Sequence, residues 1–294
     1  MALNEQSVVA VHEDAGPGYR FLVLEAPQLA AALVPGQFVH VRVPGLEPTA
    51  LRRPFSVFDA DGGRVTLLYK IVGRGTAALA HVRPGDAVEV MGPLGRGFPT
   101  APKGVPLLVG GGYGVAPLHF LAKRLIAQKR QESRSPETKR QECRFPEGAQ
   151  IGEAALSPLQ SGNPVLFVGG RTKDDLLALD RFAALGVEVR VATNDGSAGA
   201  KGFVTGPLDE VLDGLRARSE AFELFTCGPD GLLKAVADRA LAAGMPGWIS
   251  MDRHMICGVG ACFACIQKVR RAGKIFNARC CMDGPVFKAE ELVW

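Results

Sequence analysis

The sequence predicts a multidomain chain with an antiparallel β-barrel, an α/β domain built on a parallel sheet, and a small cysteine-rich C-terminal module. Three observations support this prediction. Residues 1–102 form short alternating or β-branched runs, residues 103–247 alternate continuous apolar runs with helical segments, and residues 248–294 lose that periodicity. The length of 294 residues also exceeds what one ordinary hydrophobic core holds.

The first domain, residues 1–102, has the pattern of several short strands. The runs with strand character are "SVVAVHE", "YRFLVLE", "QFVHVRV", "RVTLLYKIV" and "DAVEVMG". Turns that contain glycine and proline, such as "AGPG" and "RPGD", separate them. With one short helix expected near Thr76–His81, this spacing predicts a small antiparallel barrel, and the pattern leaves a β-sandwich open as the alternative.

The second domain, residues 103–247, begins with the apolar run "VPLLVGG" and the helical segment "APLHFLAKRLIAQ". Further runs such as "PVLFVGG", "VEVRVAT" and "FELFTCG" alternate with the helical segments "DDLLALDRFAAL", "GPLDEVLDGL" and "DGLLKAVADRALAAG". Buried strands that alternate with helices predict a parallel sheet. Each strand ends in glycine or polar residues, at the edge where open α/β sheets bind their ligands.

A polar, charged segment interrupts this second domain. The stretch "KRQESRSPE" (129–137) recurs ten residues later as "KRQECRFPE" (139–147). Because a connection of about two to six residues suffices at such a position, we interpret residues 129–163 as a duplicated, disordered insertion. Cys143 lies within it, and we expect no function for that thiol.

Composition and charge argue against several classes of protein. The net charge of +4 is modest, and no basic run is interleaved with aromatic residues, so we expect no nucleic-acid partner. The first residues do not resemble a secretory signal, and no apolar run approaches the roughly eighteen residues of a transmembrane helix. Seven cysteines in such a chain predict a reducing compartment, and we therefore expect a cytoplasmic protein.

The C-terminal module, residues 248–294, is rich in cysteine and glycine and is expected to have little regular structure. Cys257, Cys262 and Cys265 follow the spacing C-x4-C-x2-C, and the adjacent pair Cys280 and Cys281 comes later in the chain. This spacing with a distant fourth cysteine is typical of plant-type [2Fe–2S] sites. So short a segment could hardly build a hydrophobic core of its own, which also favours a module held together by metal.

Small residues inside the cysteine loop fit a cluster. Gly258 and Gly260 permit positive φ and let backbone N–H groups approach the sulfur atoms closely. Zinc is the alternative, because structural zinc sites use paired C-x2-C knuckles or histidine, and this segment offers one C-x2-C with His254 nearby. Cysteines that only pack as small hydrophobic residues are the third interpretation.

Two segments of the first domain indicate a flavin site. "LRRPFSVFD" (51–59) combines arginines, proline and serine at the start of a strand, and an arginine is well suited to grip a diphosphate. "YKIVGRGTAAL" (69–79) places Gly73, Gly75 and Thr76 at a helix N-terminus, where unpaired N–H groups favour phosphate. Either segment alone is more often an ordinary turn or helix cap, and it is their combination on one barrel that favours flavin.

Two further segments indicate a nucleotide site in the second domain. "VGGGYGVAP" (109–117) lies between the first parallel strand and its helix, where phosphates are bound, although it departs from the G-x-G-x-x-G pattern. "FTCGPD" (225–230) ends a later strand with Cys227. A structural turn and a buried cysteine are the alternative interpretations of these two segments.

Taken together, "RRPFS", "GRGT", "GPLGRGF", "GGGYGVAP", "ATNDGSAGAKGFVT" and "TCGP" resemble the ferredoxin–NADP reductase superfamily. The end of the chain, "CGVGACFAC" followed by "CMDGPVF", resembles the electron-transfer subunits of NAD-dependent B-type dihydroorotate dehydrogenases. This resemblance covers nearly the whole chain apart from the insertion. It implies a FAD-binding barrel, an NAD-binding α/β domain and a [2Fe–2S] module.

The resemblance also implies which residues hold the cofactors. For FAD they are Arg53, Pro54, Phe55, Ser56, Leu68, Tyr69, Lys70, Gly75 and Thr76. For NAD we assign Gly111, Gly112, Gly114, Cys227, Gly228 and Pro229, with Cys227 as a contact of nicotinamide or flavin. For the cluster they are Cys257, Cys262, Cys265 and Cys281.

Three features depart from the family's pattern. Cys280 precedes Cys281, so the fourth ligand is ambiguous by one residue, and the following "DGPVF" favours Cys281. Lys70 stands where an arginine is frequent, which keeps the charge and loses the bidentate fork. The insertion at residues 129–163 is the third departure.

The resemblance implies an electron-transfer role in pyrimidine biosynthesis. The partner would be an FMN-containing catalytic subunit that oxidises dihydroorotate, in a heterotetramer of two plus two, and electrons would pass through the cluster and FAD to NAD+. We find no candidate catalytic base in this chain. The alternatives are a related ferredoxin–NAD(P)H oxidoreductase or sulfhydrogenase subunit, or a zinc- or redox-sensing module without enzymatic activity.

Overall fold

The computed structural model describes residues 2–46, 51–134 and 163–294. The first domain consists of six strands and two short helices: β1 (Leu3–Gly16), β2 (Tyr19–Glu25), α1 (Pro27–Ala32), β3 (Phe38–Val41), β4 (Arg53–Asp61), β5 (Arg64–Lys70), α2 (Arg74–Leu79) and β6 (Ala87–Leu94). The strands close into an antiparallel barrel in the order β1-β2-β5-β4-β3-β6. The predicted barrel is thereby confirmed over the sandwich.

Alternating burial explains why these segments form a barrel. Along β6 the side chains of Val88, Val90 and Leu94 are buried while their neighbours are partly or fully exposed. Such a period of two places one set of side chains in the barrel interior. The expected short helix is present as α2 but begins and ends two residues earlier than the predicted Thr76–His81. Helix α1, which starts at Pro27, had no counterpart in the sequence prediction.

The second domain is a doubly wound α/β fold. Its elements are β7 (Val105–Gly111), α3 (Val115–Arg134), β8 (Val165–Gly170), α4 (Leu179–Leu185), β9 (Glu188–Thr193), β10 (Ala200–Lys201), α5 (Thr205–Ala217), β11 (Phe222–Cys227), α6 (Asp230–Ala243) and β12 (Gly247–Ser250). The parallel order is β10-β9-β8-β7-β11-β12. Because the chain order reverses at β7, the crevice at the carboxyl ends of β7 and β11 is the expected ligand site.

The segment predicted as a disordered insertion is in part helical. Helix α3 continues to Arg134 and so occupies the first residues of the predicted range 129–163. This part of the prediction was wrong, because the run "KRQESR" favours helix despite its charge. Residues 135–162, including most of the duplicated stretch and Cys143, lie outside the described residues.

The C-terminal module has more regular structure than predicted. It contains a hairpin of β13 (Ile266–Arg271) and β14 (Lys274–Arg279), the short helix α7 (Cys280–Asp283) and β15 (Val286–Lys288). Strand β15 pairs antiparallel with β12 and becomes the edge of the nucleotide-domain sheet. The predicted boundary between residues 247 and 248 therefore falls inside β12.

Helix α3 joins the second domain to the barrel. His119 stacks on Phe58 of β4 with ring centroids 4.0 Å apart, and its Nδ1 donates to the Phe58 carbonyl at 3.2 Å. Lys123 donates to Asp59 at 2.8 Å and to Asp61 at 3.0 Å. Buried stacking and a shared lysine thus hold α3 against the barrel, and the ion pair of Arg181 on α4 with Glu13 on β1 at 2.6 Å adds a second link between the domains.

Among the residues that the structure describes, no helix has the length and apolar character needed to cross a membrane.

Candidate functional site

The cysteine loop, residues 257–265, is shaped by two glycines and by hydrogen bonds to sulfur. Gly258 and Gly260 have φ of +70° and +79°, the left-handed region that glycine adopts without strain. The loop folds back so that the Cys262 N–H donates to the Cys257 Sγ at 3.4 Å. The predicted role of the glycines, to turn backbone N–H groups toward sulfur, agrees with this geometry.

The Cys257 thiol ionises readily. Partial burial raises its pKa, but hydrogen bonds from the backbone N–H groups of Val259, Cys262 and Ala261 outweigh that effect and lower the pKa to about 6. Only a thiolate binds iron, so a site that stabilises negative sulfur before metal arrives lowers the cost of loading.

The four predicted ligand cysteines form two pairs. In the first pair, the Cys262 N–H donates to the Cys257 Sγ at 3.4 Å. In the second pair, the Cys281 N–H donates to the Cys265 Sγ at 3.5 Å. A [2Fe–2S] cluster has two irons that share four thiolates, so two pairs of thiols are the donor set that it needs.

This arrangement fits a single zinc ion poorly. Within residues 2–46, 51–134 and 163–294, no three His, Cys, Asp or Glu side chains are arranged to hold one metal ion. A structural zinc site needs four ligands around one point. Exposed His254, the nearest histidine in sequence, has no contact with the cysteine loop among the described hydrogen bonds.

Cys280 and Cys281 have different surroundings although they are neighbours. Burial, followed by contact with Cys265, raises the pKa of Cys281 to about 12, while the Gly260 N–H in the cysteine loop opposes this shift. Burial, followed by the charge of Cys265, also raises the pKa of Cys280 to about 12, and Arg253 opposes this shift. Both thiols therefore lie near Cys265, and the contact with Gly260 of the cysteine loop is particular to Cys281.

The flavin segments meet on the outside of the barrel. Arg53 of β4 lies against Gly75 of α2, where a Cβ atom would come within 2.5 Å of the Arg53 Nε. Glycine at this position thus leaves room for the guanidinium beside the N-terminal turn of α2. The positive charge of Arg53 beside this turn suits a diphosphate, as the sequence predicted for these two residues.

Several residues predicted to bind flavin have buried or engaged side chains, so only their backbone atoms are available to the cofactor. The side chains of Phe55, Leu68 and Tyr69 are 8%, 3% and 2% exposed. The Tyr69 hydroxyl is bonded to His12 Nε2 at 2.9 Å, and burial raises the pKa of Tyr69 to about 12. The Thr76 hydroxyl is engaged by its own turn, because it accepts from Val72 N at 2.9 Å.

The remaining flavin residues, Pro54, Ser56 and Lys70, are half-buried. The Lys70 ammonium lies 4.8 Å from the centre of the Tyr19 ring. These two residues line a cavity of about 350 Å³ between the barrel and the second domain, whose far wall contains Arg171 and Asp175. Lys70 and Arg171 bring two positive charges to this cavity, and Asp174 and Asp175 bring two negative ones.

The two segments predicted to bind NAD are in direct contact. A Cβ atom on Gly114 would lie 2.3 Å from the Cys227 carbonyl oxygen, and one on Gly111 would lie 3.0 Å from Pro229. The structure thus brings together the glycine turn after β7 and the end of β11 at the predicted crevice. Gly112, with φ of +53°, lies toward the barrel near Tyr19.

The thiol of Cys227 is held in its protonated form. Burial, followed by the nearby carboxylate of Asp252, raises its pKa to about 12. A thiol in this state is a poor nucleophile and a suitable neutral contact for a nicotinamide ring. Cys227 pairs in register with Gly110 and Ser250, at the carboxyl edge of the sheet.

Sequence reasoning missed several residues at this crevice. The Tyr113 hydroxyl donates to Asp252 Oδ2 at 3.1 Å and so links the glycine turn to the segment that leads into the cysteine module. Arg171 and Asp175 follow the "VGG" end of β8, and that position after a parallel strand could have drawn attention to them. The Tyr113–Asp252 contact has no comparable signal in the sequence.

Two family models match the chain. The model of the iron–sulfur cluster binding domain of dihydroorotate dehydrogenase B matches residues 252–293, and that of the oxidoreductase FAD-binding domain matches residues 9–98. The first covers the cysteine loop and Cys281, and the second covers the barrel with Arg53 and Gly75. The zinc-module alternative is thereby set aside.

The barrel, parallel sheet and C-terminal module recur together in solved structures. The NADH-dependent reduced ferredoxin–NADP oxidoreductase, whose structure addresses flavin-based electron bifurcation, aligns with a TM-score of 0.75 at 28% identity, over 99% of this chain and 90% of that chain. An Amycolatopsis cytochrome P450 reductase aligns with a TM-score of 0.58 at 23% identity, over 83% of this chain and 67% of that chain, and supports the fold alone.

Sequence relatives are more similar and also cover most of this chain. The electron transfer subunit of dihydroorotate dehydrogenase B (NAD(+)) from Desulforamulus reducens is 34% identical over 99% of this chain and 98% of its own length. The subunit of the same description from Bacillus caldolyticus is 42% identical over 88% of this chain and 86% of its own length. The chain therefore belongs to the family of electron transfer subunits of dihydroorotate dehydrogenase B.

Proposed function

We propose that this chain conducts electrons from a catalytic partner subunit, which oxidises dihydroorotate to orotate, to NAD+ by way of a [2Fe–2S] cluster and FAD. The oxidation releases two electrons and two protons. NAD+ accepts both electrons with one proton as a hydride, and the second proton goes to solvent. The observation that carries this proposal is the paired arrangement of four thiols in a module that adjoins both the flavin barrel and the nucleotide sheet.

Both cofactors are needed because a bound cluster would transfer one electron at a time, whereas nicotinamide accepts two. A bound flavin can exchange either one or two electrons and so would connect the two. The chain's own residues bind and orient these groups. We propose that Arg53 and Gly75 hold the FAD diphosphate, with Pro54, Ser56 and Lys70 beside it. Phe55, Leu68, Tyr69 and Thr76 would contribute through their backbone.

For NAD we propose the crevice between the glycine turn and the end of β11. Gly112 leaves space for a pyrophosphate before α3, while Gly111 and Gly114 let the glycine turn pack directly against Pro229 and Gly228, which form the facing wall. Cys227 would contact the nicotinamide as a neutral thiol, because burial keeps it protonated. No residue of this chain is proposed to act on dihydroorotate.

For the cluster we propose Cys257 and Cys262 as ligands of one iron and Cys265 and Cys281 as ligands of the other. The pairing follows the two hydrogen bonds to sulfur, from the Cys262 N–H to the Cys257 Sγ and from the Cys281 N–H to the Cys265 Sγ. Cys281 is preferred to Cys280 because the Cys281 N–H donates to the Cys265 Sγ at 3.5 Å, whereas the Cys280 N–H donates to the Cys265 carbonyl at 2.9 Å.

We further propose that the partner subunit carries FMN, that the complex contains two copies of each subunit, and that it is cytoplasmic. The last point is supported by the six cysteines in the described part of the chain, all of which are free thiols. A related ferredoxin–NADP oxidoreductase subunit is the second candidate function, favoured by the TM-score of 0.75 to such a protein. The relatives at 34–42% identity favour the first.

The test is co-expression of this chain with an FMN-containing dihydroorotate dehydrogenase subunit. We expect the purified pair to contain flavin and iron and to reduce NAD+ when dihydroorotate is added. The chain alone should contain FAD and iron and oxidise NADH with an artificial acceptor, without acting on dihydroorotate. A colourless protein without iron, or a pair that reduces ferredoxin but never NAD+ with dihydroorotate, would overturn the proposal.

A further inference from the structure

His40 on β3 is a buried polar side chain without a hydrogen-bond partner. Its side chain is 0% exposed, and neither Nδ1 nor Nε2 has a partner within the described residues. Leaving a buried polar group unpaired costs about 1–3 kcal/mol. Such a group in a folded protein calls for an explanation, and a missing ligand is one of the few available.

The nitrogen-bearing edge of His40 faces the cysteine loop. A Cβ atom on Gly258 would lie 2.7 Å from Cε1, 2.9 Å from Nε2 and 3.0 Å from Nδ1 of this ring. Gly258 directly follows Cys257 in the chain. The absence of a side chain at Gly258 is therefore what lets the imidazole reach the loop that would surround the cluster.

The imidazole is neutral under ordinary conditions. Burial, with a smaller contribution from Arg52, lowers its pKa to about 4. A neutral imidazole has one N–H donor and one acceptor nitrogen. Sulfur atoms of an iron–sulfur cluster accept hydrogen bonds, and such bonds are among the features that set the reduction potential.

The barrel holds His40 rigidly between the two cofactor sites. In the strand ladder it pairs with Pro54 on β4, next to Arg53, and with Met91 on β6. The Phe38 ring packs beside it with centroids 5.7 Å apart. A strand that is paired on both sides fixes the direction of the imidazole before any cofactor binds.

We infer that His40 donates its N–H to a sulfur of the bound [2Fe–2S] cluster and raises the reduction potential of that cluster. The hydrogen bond stabilises the reduced form more than the oxidised form because reduction adds negative charge to the sulfur atoms. His40 is a positioning residue in this role and does not itself react. The inference rests on the cluster binding proposed above.

The test compares the cluster potential in His40→Phe and native protein by redox titration followed with EPR. Phenylalanine keeps a planar ring and removes both nitrogens. We expect the reduction equilibrium to shift about tenfold toward the oxidised form, which is about 59 mV for one electron. His40→Gln, which retains an N–H donor, should recover part of the shift, and His81→Phe, at an exposed barrel histidine, should cause none.

A second measurement does not depend on a variant at position 40. Pulsed EPR of the reduced cluster, with histidine labelled by 15N, should show a weak nitrogen coupling. The His254→Gln background removes the histidine that is nearest in sequence to the cysteine loop. A loaded cluster with no histidine coupling, or with an unchanged potential in His40→Phe, would overturn this inference alone. A chain that holds no iron would overturn the cluster proposal as well.

Discussion

At the residue scale, the fourth cluster ligand shows what the sequence could and could not predict. The spacing of Cys257, Cys262 and Cys265 predicts a [2Fe–2S] loop because ligand spacing along the chain is itself the signal. Cys280 and Cys281 are indistinguishable by spacing. In the structure their side chains differ in direction, because both residues lie in the helical turn α7 and successive side chains on a helix point about 100° apart.

We predict that Cys281→Ala loses most of its iron and the visible absorption of the cluster, whereas Cys280→Ala keeps both. Alanine removes the thiol without burying a new hydroxyl. Cys280 is 0% exposed and packs in the core of the second domain, so its alanine variant should lose about 1 kcal/mol or more of stability through the cavity. Iron analysis of both proteins checks the prediction, and the reverse pattern would identify Cys280 as the ligand.

We predict that Gly258→Ala is more harmful than Gly273→Ala. Both glycines have positive φ, +70° and +75°, so both substitutions carry the same backbone strain of about 1–2 kcal/mol. At Gly273 the new methyl meets nothing within 4 Å, while at Gly258 it would lie 2.7 Å from the His40 ring. Urea unfolding should show the larger loss for Gly258→Ala, together with lower iron content. Equal losses of stability would mean that the His40 ring moves aside without a cost in free energy.

At the scale of elements, periodicity predicted what is long and regular and missed what is short. The six barrel strands and the parallel strands have clear alternating or continuous apolar patterns. Strand β15 has three residues, and the hairpin β13–β14 exposes charged side chains such as Lys268 and Arg270, so neither has a usable pattern. Both form because the neighbouring sheet or the partner strand is present, which is tertiary information.

The α3–β4 contact leads to a prediction about pH. Burial lowers the pKa of His119 to about 4 in the folded protein, below the ordinary value of 6.5, although Asp59 and the Phe58 carbonyl oppose this shift. Between those values the unfolded chain binds more protons than the folded one. This contribution to stability is therefore complete above pH 6.5 and is lost as the pH falls toward 4.

We expect the free energy of unfolding to fall by at most about 1.4 kcal/mol per pH unit through His119 in this window. His40, whose pKa is also lowered to about 4, adds its own contribution to the change of the unfolding free energy with pH. The variant His119→Phe retains the stacking on Phe58 and removes the titrating group. Denaturant unfolding from pH 7 to pH 5 should show a shallower decline for this variant, and parallel curves would contradict the assignment.

At the scale of the whole molecule, the cysteine module has both a buried and an exposed side. Cys265, Cys280 and Cys281 belong to the core that also contains Phe38 and Leu94 of the barrel. Besides Trp294, six large apolar side chains of the module are exposed, and we call these six the module surface: Ile256, Val259, Phe263, Ile275, Phe276 and Met282. Electrons that enter from a partner would pass inward from this surface toward the barrel.

The module surface is accompanied by exposed basic side chains on the β13–β14 hairpin. Phe276 and Ile275 are 50% and 55% exposed, and Lys268, Arg270 and Lys274 on the same hairpin are also exposed. Clustered apolar side chains with a polar rim are typical of protein–protein interfaces. We therefore expect the catalytic subunit to present an apolar patch with acidic residues at its edge.

We predict that Phe276→Glu weakens binding of the catalytic subunit about tenfold or more, because a charge would be buried in an apolar contact. Leu241→Glu is the matched control, since Leu241 is 50% exposed on α6, outside the cysteine module. Both variants should retain flavin, iron and NADH oxidation with an artificial acceptor, because neither side chain belongs to a cofactor site. Titration of each variant with the catalytic subunit measures the affinity. Undiminished affinity in Phe276→Glu, or an equal loss in Leu241→Glu, would place the contact elsewhere on the molecule.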